Sequence, residues 1–267
     1  MKVCEAHFVL EKVKWMATIG EIKKELENIR PEERLLFIER YKEDGRSGVQ
    51  KLVASCRNGI LKEEKEAARL EKMLAYEKKY GERYEYICGI DEAGRGPLAG
   101  PVVAGAVILP KGLKIPYLND SKQLSEKRRE ALYDQIMASA VAVGAGIVSP
   151  ERIDEINILQ ATYEAMRQAV ESLDPKPQIL LNDAVIIPGI HLPQEKIIKG
   201  DAKSLSIAAA SVIAKVTRDR MMKAYHEMFP EYGFDKHKGY GSREHIEAIQ
   251  KIGPCPIHRR SFLTHFI

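Results

Sequence analysis

The chain has 267 residues, 45% of them hydrophobic, and a formal net charge of +4 from 42 Lys/Arg and 38 Asp/Glu. This supplies enough apolar material for the core of one large domain or two modest ones. The four cysteines, at positions 4, 56, 88 and 255, lie far apart and form no Cys-x-x-Cys pair. That spacing argues against a structural zinc site and against a disulfide framework.

The sequence shows no sign of export or of membrane insertion. Glu5, His7 and Glu11 interrupt the apolar core that a signal peptide requires. No run approaches the roughly 18 consecutive apolar residues of a membrane helix. We therefore expect a cytoplasmic protein that does not bind membranes.

The first 85 residues, 36 of which are charged, predict short helices. Apolar residues recur at helical spacing within residues 22–29, 49–56 and 70–74. Pro31 is typical of a helix start, whereas Asp44-Gly45 and Asn58-Gly59 are expected to break the chain. The stretch before Met16 shows no clear pattern, so Met16 is a candidate for the true start. Residues 1–82 are predicted to form a small helical extension that serves as a substrate-binding appendage.

From residue 83 to residue 267 the pattern predicts strands that alternate with helices. Strands are expected at residues 84–90, 102–109, 140–148, 178–184 and 195–199. Helices are expected at residues 125–138, 151–173 and 203–226, with Ser125 as the N-cap of the first. This order of elements predicts an α/β domain with a mixed β-sheet flanked by helices.

Acidic residues lie at the ends of three predicted strands. Asp91-Glu92 directly follows the first strand, Asp183 ends the fourth, and Asp201 lies between the fifth strand and a helix. Adjacent carboxylates repel each other unless a cation or hydrogen-bond donors compensate, and Mg²⁺ prefers oxygen ligands. A solvated acidic turn would explain the Asp-Glu pair alone, and a helix N-cap would explain Asp201. The four acids together favour a metal site.

A glycine-rich turn follows the first two acids. Residues 94–99 match the G-x-G-x-x-G/A pattern of dinucleotide-binding proteins, but such a turn must lead into a helix. Here Pro97, Gly100 and Pro101 lead into a predicted strand, and bare acids would repel a pyrophosphate. The pattern therefore favours a turn whose backbone approaches a nucleic acid.

The C-terminal third of the chain is basic. Residues 199–223 and 235–260 together hold 12 Lys/Arg and 5 Asp/Glu. Such a surplus favours a surface that binds a polyanion. It is also compatible with a non-catalytic nucleic-acid-binding protein, which would bind duplexes in EDTA and cut none.

Several runs of sequence resemble those of bacterial ribonuclease HII. Residues 89–104, which read GIDEAGRGPLAGPVVA, resemble the opening motif of that family. The runs DSK (120–122), KGDAKS (199–204), AAAS (208–211), IAKV (213–216), YGF (232–234), HKGY (237–240) and HRRSF (258–262) resemble its later motifs. The sister family, ribonuclease HIII, usually carries Gly-Lys-Gly where this chain has Gly-Arg-Gly.

The resemblance implies a ribonuclease H-like fold and four catalytic, metal-binding acids: Asp91, Glu92, Asp183 and Asp201. It implies nucleic-acid contacts from Gly94, Arg95, Gly96, Lys122 and Tyr240. One departure is visible, because the residue before the third acid is usually aliphatic and here is Asn182. A polar side chain at that position could loosen Asp183.

The resemblance also implies an activity. The expected enzyme is an endoribonuclease that uses Mg²⁺ or Mn²⁺, with two ions at the site during catalysis. It would cut the RNA strand of RNA–DNA hybrids, and duplex DNA on the 5′ side of a single embedded ribonucleotide. The products would carry a 5′ phosphate and a 3′ hydroxyl. We expect a monomer, and the sequence does not identify which proteins, if any, it binds.

Overall fold

The computed structural model describes residues 17–265. Residues 1–16, which carry the signal-peptide argument and the candidate start at Met16, lie outside the described residues, as do residues 266–267. The chain divides into two compact units, one ending at Arg69 and the other beginning at Leu70. None of the described helices combines the length and apolar character that crossing a bilayer requires.

The first unit is helical, as predicted. It holds α1 (Ile19–Asn28), α2 (Arg34–Tyr41) and most of α3 (Ser47–Met73). Helix α1 begins with a capping box in which Thr18 and Glu21 bond each other's backbone amides. The small core consists of Ile22, Phe37, Ile38, Tyr41, Val49, Val53 and Cys56.

The predicted break at Asn58-Gly59 is wrong, because α3 runs through it without interruption. Glycine in a helix interior costs only about 1 kcal/mol relative to alanine. The residues that follow, such as Leu61, Lys62 and Glu63, are good helix formers and offset this penalty. The predicted break at Asp44-Gly45 is confirmed, and the Asp44 carboxylate there accepts hydrogen bonds from the backbone and side chain of Arg46.

The second unit is built on a five-stranded mixed sheet in the order β3-β2-β1-β4-β5. The strands are β1 (Ile87–Ala93), β2 (Val102–Ile108), β3 (Ala142–Val148), β4 (Ile179–Asp183) and β5 (Gln194–Ile197). Strands β1 to β3 pair antiparallel, whereas β4 runs parallel to β1 and to β5. The helices are α4 (Ala75–Gly81), α5 (Glu126–Ser139), α6 (Pro150–Glu171), α7 (Leu205–Met228), α8 (Phe234–His237) and α9 (Arg243–Ile252). The predicted mixed sheet flanked by helices is confirmed.

Helices cover both faces of this sheet. Helix α6 packs on one face, and α7 packs on the other together with α5. Glycines allow α7 to approach closely: a Cβ on Gly89 would lie 2.0 Å from the carbonyl carbon of Ser206, and one on Gly105 would lie 2.4 Å from the oxygen of Ala210. The helix therefore lies directly against β1 and β2, and its Ser211 hydroxyl hydrogen-bonds the Asp91 carboxylate.

The segment after Arg69 belongs to the core of the second unit. Leu70, Met73 and Leu74 are buried with residues of α7. The Glu77 carboxylate accepts hydrogen bonds from the Ser204 hydroxyl (2.6 Å) and the Ser206 amide (2.9 Å) at the start of α7. The proposed functional division after residue 82 stays a prediction.

Candidate functional site

The four predicted acids lie on neighbouring elements of the second unit. Asp91 and Glu92 lie inside β1, which pairs with β2 as far as Ala93. The prediction that they follow the strand is therefore wrong, because the turn begins only at Gly94. Asp183 is the last residue of β4, the parallel neighbour of β1. Asp201 lies in a 3₁₀ turn, Gly200–Ala202, just before α7.

Helix capping does not explain Asp201. Helix α7 begins at Leu205, and its N-cap is Ser204, whose hydroxyl accepts a hydrogen bond from the Ile207 amide. Asp201 lies three residues earlier and is only 9% exposed. Ser204, and not Asp201, is therefore the N-cap of α7.

Burial and mutual repulsion dominate the electrostatics of Asp91 and Glu92. Asp91 is 5% exposed, and burial followed by the charge of Glu92 raises its pKa well above the ordinary value. Burial also raises the pKa of Glu92, against the opposing charge of Arg95. The charge of Asp183 raises the pKa of both carboxyls. Carboxylates crowded in this way are stabilised by a bound cation.

Asp201 shares the environment of the other acids. Burial, followed by the charges of Asp120 and Asp183, raises its pKa. Lys122 lies within the same field: burial lowers its pKa, but the carboxylates of Asp91, Asp120 and Asp201 outweigh burial and raise it. The structure therefore brings the predicted acids and Lys122 into one electrostatic cluster.

The donors of this cluster fit a hard divalent cation, because all are carboxylate oxygens. Within residues 17–265, no three His, Cys, Asp or Glu side chains are arranged to hold an ion as they stand. Two of the acids accept backbone hydrogen bonds: Asp183 Oδ1 accepts from the Gly200 amide at 2.7 Å, and Asp91 Oδ1 from the Glu92 amide at 2.7 Å.

Asn182 has partners of its own. Its side chain is fully buried, and its Nδ2 donates to Gln194 Oε1 on β5 at 2.8 Å. Gln194 Oε1 also accepts from the Ile187 amide. Since neighbouring side chains on a strand point to opposite faces, Asn182 and Asp183 leave β4 on different sides. Asp183 is held independently through the Gly200 amide.

The glycine turn, residues 94–101, connects β1 to β2 without a helix. This excludes the dinucleotide-binding alternative. The amides of Leu98 and Ala99 donate to the Gly239 oxygen at 2.8 and 3.3 Å. A Cβ on Gly96 would lie 4.0 Å from Cε1 of Tyr240, whose side chain is partly exposed. The two segments predicted to contact the substrate are thus adjacent.

Sequence analysis missed the role of Arg218 and Arg259. Both are fully buried, and both donate to backbone carbonyls of the glycine turn. The prediction of a basic surface in the C-terminal third included both arginines as surface charges, and for these two residues it is wrong. Arg259 does fall within the HRRSF run, but a charged residue on α7 such as Arg218 gives no local indication of burial.

A mixed sheet that presents buried carboxylates beside a glycine turn is the arrangement expected of a ribonuclease H-like nuclease. Comparison with known proteins then gives the family. The family profile "Ribonuclease HII" matches residues 88–265, and "Ribonuclease HII N-terminal domain" matches residues 18–81.

Individual relatives agree with the family profiles. The chain is 58% identical over 247 residues to ribonuclease HII of Lachnoclostridium phytofermentans, covering 92% of this chain and 97% of that protein. It is 50% identical over 251 residues to ribonuclease HII of Clostridioides difficile, covering 94% and 98%.

Solved structures show the same similarity. The ribonuclease H2 structure from Pyrococcus horikoshii has a TM-score of 0.54 and 31% identity, covering 66% of this chain and 93% of that one. The ribonuclease HII of Archaeoglobus fulgidus, solved with PCNA, has a TM-score of 0.55 and 28% identity, covering 66% and 94%. The chain belongs to the ribonuclease HII family. It is an endoribonuclease that acts on nucleic acids and depends on divalent metal ions.

Proposed function

We propose that this enzyme cuts the RNA strand of RNA–DNA hybrids, and duplex DNA on the 5′ side of a single embedded ribonucleotide. The observation that carries this proposal is the position of the glycine turn. The turn follows the metal-site residue Glu92 along the chain and lies against Tyr240. A 2′ hydroxyl bound at the turn would therefore lie close to the acids.

The metal site would consist of Asp91, Glu92, Asp183 and Asp201, holding two Mg²⁺ or Mn²⁺ ions. Bound ions would neutralise charge on the scissile phosphate and lower the pKa of the attacking water. The carboxylates supply the ligands. Lys122 adds a positive charge beside them, where it can contact a phosphate oxygen. Hydrolysis would leave a 5′ phosphate and a 3′ hydroxyl.

Recognition of the ribonucleotide would rest on backbone amides. A 2′ hydroxyl is the group that distinguishes RNA from DNA, and it can both donate and accept. Arg95 and Gly96 are exposed, and within residues 17–265 their amides donate no hydrogen bond. These amides can donate to the hydroxyl, and the absence of a Cβ at Gly94 and Gly96 allows close approach.

The side chains of Arg95 and Tyr240 would complete the contact. Arg95 is partly exposed and lies 3.3 Å from Glu92, so it can turn to a neighbouring phosphate. The Tyr240 ring lies 5.9 Å from the guanidinium carbon of Arg218 and 6.0 Å from Lys215 Nζ. This support holds the ring in place for stacking on the sugar or base next to the cut.

The deciding assay uses a labelled DNA duplex with one central ribonucleotide. We expect one cut on its 5′ side with Mg²⁺ or Mn²⁺ and none with EDTA. An all-DNA duplex should stay intact, and a long RNA–DNA hybrid should be cut in its RNA strand. Equal cutting of the all-DNA duplex would contradict recognition of the 2′ hydroxyl. Binding without cutting under all conditions would contradict the metal site.

The helical extension would serve as a duplex-binding appendage of a monomeric enzyme. Its test is a chain that lacks residues 1–69. Deleting residues 1–82 would also remove Leu70, Met73, Leu74 and Glu77 from the core of the second unit. We expect a folded nuclease with weaker duplex binding. Unchanged affinity would contradict the appendage role, and sedimentation of the full chain tests the monomer.

A further inference from the structure

Two buried guanidinium groups lie behind the glycine turn. Arg218 and Arg259 are each 0% exposed, and within residues 17–265 neither forms an ion pair. Their hydrogen bonds go to backbone carbonyls instead. Placing a cation in the interior is unfavourable unless hydrogen bonds satisfy it, and an apolar side chain would fill the same space without that penalty. The carbonyl contacts are therefore what these side chains contribute.

Arg259 holds the outer part of the turn. Its Nη2 donates to the Gly94 oxygen at 2.6 Å and to the Gly100 oxygen at 2.7 Å. Its Nη1 donates to the Arg95 oxygen at 2.9 Å, and its Nε to the Gly100 oxygen at 2.9 Å. One planar group thus fixes the carbonyls of two consecutive peptides, 94–95 and 95–96.

The direction of these carbonyls sets the direction of the amides. In a trans peptide the C=O and N–H bonds point opposite ways. Because the Gly94 and Arg95 carbonyls point inward to Arg259, the Arg95 and Gly96 amides must point away from it. These two amides belong to exposed residues and, as described above, donate no hydrogen bond within residues 17–265. The guanidinium therefore determines where the turn presents its free donors.

Arg218 fixes the base of the turn and connects it to the Tyr240 segment. Its Nε donates to the Pro101 oxygen at 2.9 Å and its Nη2 to the Ala99 oxygen at 3.0 Å. Its Nη1 donates to the Lys238 oxygen at 2.9 Å. A Cβ on Gly94 would lie 2.1 Å from Arg218 Nε, so the two are closely packed. Arg218 thus joins both substrate-contacting segments.

We propose that Arg259 is a positioning residue that orients the Arg95 and Gly96 amides, that Arg218 holds the base of the turn and the Tyr240 segment in place behind them, and that the two side chains thereby set how strongly the enzyme prefers a ribonucleotide to a deoxyribonucleotide. This inference rests on the proposed function of the turn. It assigns a role in specificity to two side chains that touch no substrate.

The test compares Arg259→Lys and Arg218→Lys with two matched controls. Lysine keeps the charge but cannot reach several carbonyls with one planar group. The controls are Arg260→Lys, at the exposed residue next to Arg259, and Arg220→Lys, at an exposed residue of α7 two positions from Arg218. For each protein, kcat and KM are measured on the duplex with one ribonucleotide, and Ki is measured for the all-DNA duplex as competitor.

We expect each buried variant to raise KM about tenfold while Ki for the all-DNA duplex stays unchanged, since a misdirected amide loses one or two hydrogen bonds to the 2′ hydroxyl. The controls should match the parent. Folded variants that keep the parent's KM, or that raise KM and Ki equally, would overturn the inference. So would loss of folding, by circular dichroism, in both buried variants, because the arginines would then only maintain the core.

The assay also separates this inference from the proposed function. A parent enzyme that binds the two duplexes equally well would overturn the proposed recognition of the 2′ hydroxyl, and the inference with it. A parent that prefers the ribonucleotide, together with folded variants that keep that preference, would overturn only the positioning role.

Discussion

The Asp91-Glu92 pair and the glycine turn lie next to each other along the chain, yet buried charge is stabilised differently in the two regions. Asp91 and Glu92 are crowded with other carboxylates, and their pKa values are raised by burial and by these neighbouring charges. Arg218 and Arg259 are more deeply buried, but backbone carbonyls surround them. The comparison indicates that carboxylates crowded by like charges lie where a bound cation adds stability, whereas guanidinium groups bonded to carbonyls maintain the shape of the turn.

The sharpest test of this comparison is Asp91→Asn. Replacing a metal ligand with a nearly isosteric amide should abolish detectable cleavage of the one-ribonucleotide duplex. The same change removes a repelled buried charge, so the Tm without metal should stay the same or rise. The control is Asp134→Asn, at an exposed surface acid. Near-normal turnover, or a clearly lower Tm, would show that Asp91 is a structural carboxylate instead.

Arg259→Met should have the opposite effect on stability. The substitution leaves the carbonyls of Gly94, Arg95 and Gly100 without their donors. Each buried unsatisfied carbonyl costs about 1–3 kcal/mol, so the free energy of unfolding should fall by about 3 kcal/mol or more. Urea denaturation measures it, with Arg260→Met as the control. A variant as stable as the parent would remove the distinction between the two regions.

Lowering the pH should also weaken the region that carries Tyr240. His245 and His258 are buried and share a 3.0 Å contact between their Nε2 atoms, and His245 Nδ1 contacts the Tyr240 carbonyl. Burial lowers the pKa of both imidazoles to about 4. The unfolded chain therefore takes up protons near pH 6.5 that the folded chain excludes. Stability should fall between pH 6.5 and 4 by about 1.4 kcal/mol per pH unit for each imidazole.

Urea denaturation at pH 7, 6 and 5 checks this slope. His258→Gln keeps a donor near the Nε2 position but does not titrate. The change of its unfolding free energy with pH should therefore be smaller by the contribution of one imidazole. The carboxyls with raised pKa values, such as Asp91 and Glu92, contribute a slope of the opposite sign, so the difference between parent and variant isolates the imidazole. A His258→Gln slope equal to the parent's would contradict a neutral, buried His258.

The smallest expected effect is at Tyr240, which lies on the exposed side of the glycine turn. Tyr240→Ala should lower kcat/KM on the one-ribonucleotide duplex about tenfold, as the loss of a stacked ring does in other nucleic-acid complexes. Tyr240→Phe keeps the ring and should resemble the parent. Unchanged activity of Tyr240→Ala would remove the ring from recognition.

Local patterns predicted much of this fold. Alternating apolar runs gave the five strands, and Ser125 gave the start of α5. The end of β1 was missed because the pairing partner of Ala93 is Val103 on β2, which no local pattern reveals. The arginine contacts were missed for the same reason: Arg259 and Gly94 are 165 residues apart in sequence. Asp183 ends β4 as predicted, whereas the position of Asp91 and Glu92 inside β1 and the electrostatic environment of the acids depend on contacts across the whole unit.

The close packing of α7 against the sheet has a consequence for mutational tolerance. Real Cβ atoms almost never approach another heavy atom within 3.0 Å, and a methyl group at Gly89 or Gly105 would do so. The helix would have to move away as a rigid rod, carrying Ser211 beside Asp91 and Arg218 behind the turn with it. A single methyl group beneath the helix would thus misalign the acids and the glycine turn together. The spacing between α7 and the sheet therefore determines the positions of both the acids and the glycine turn.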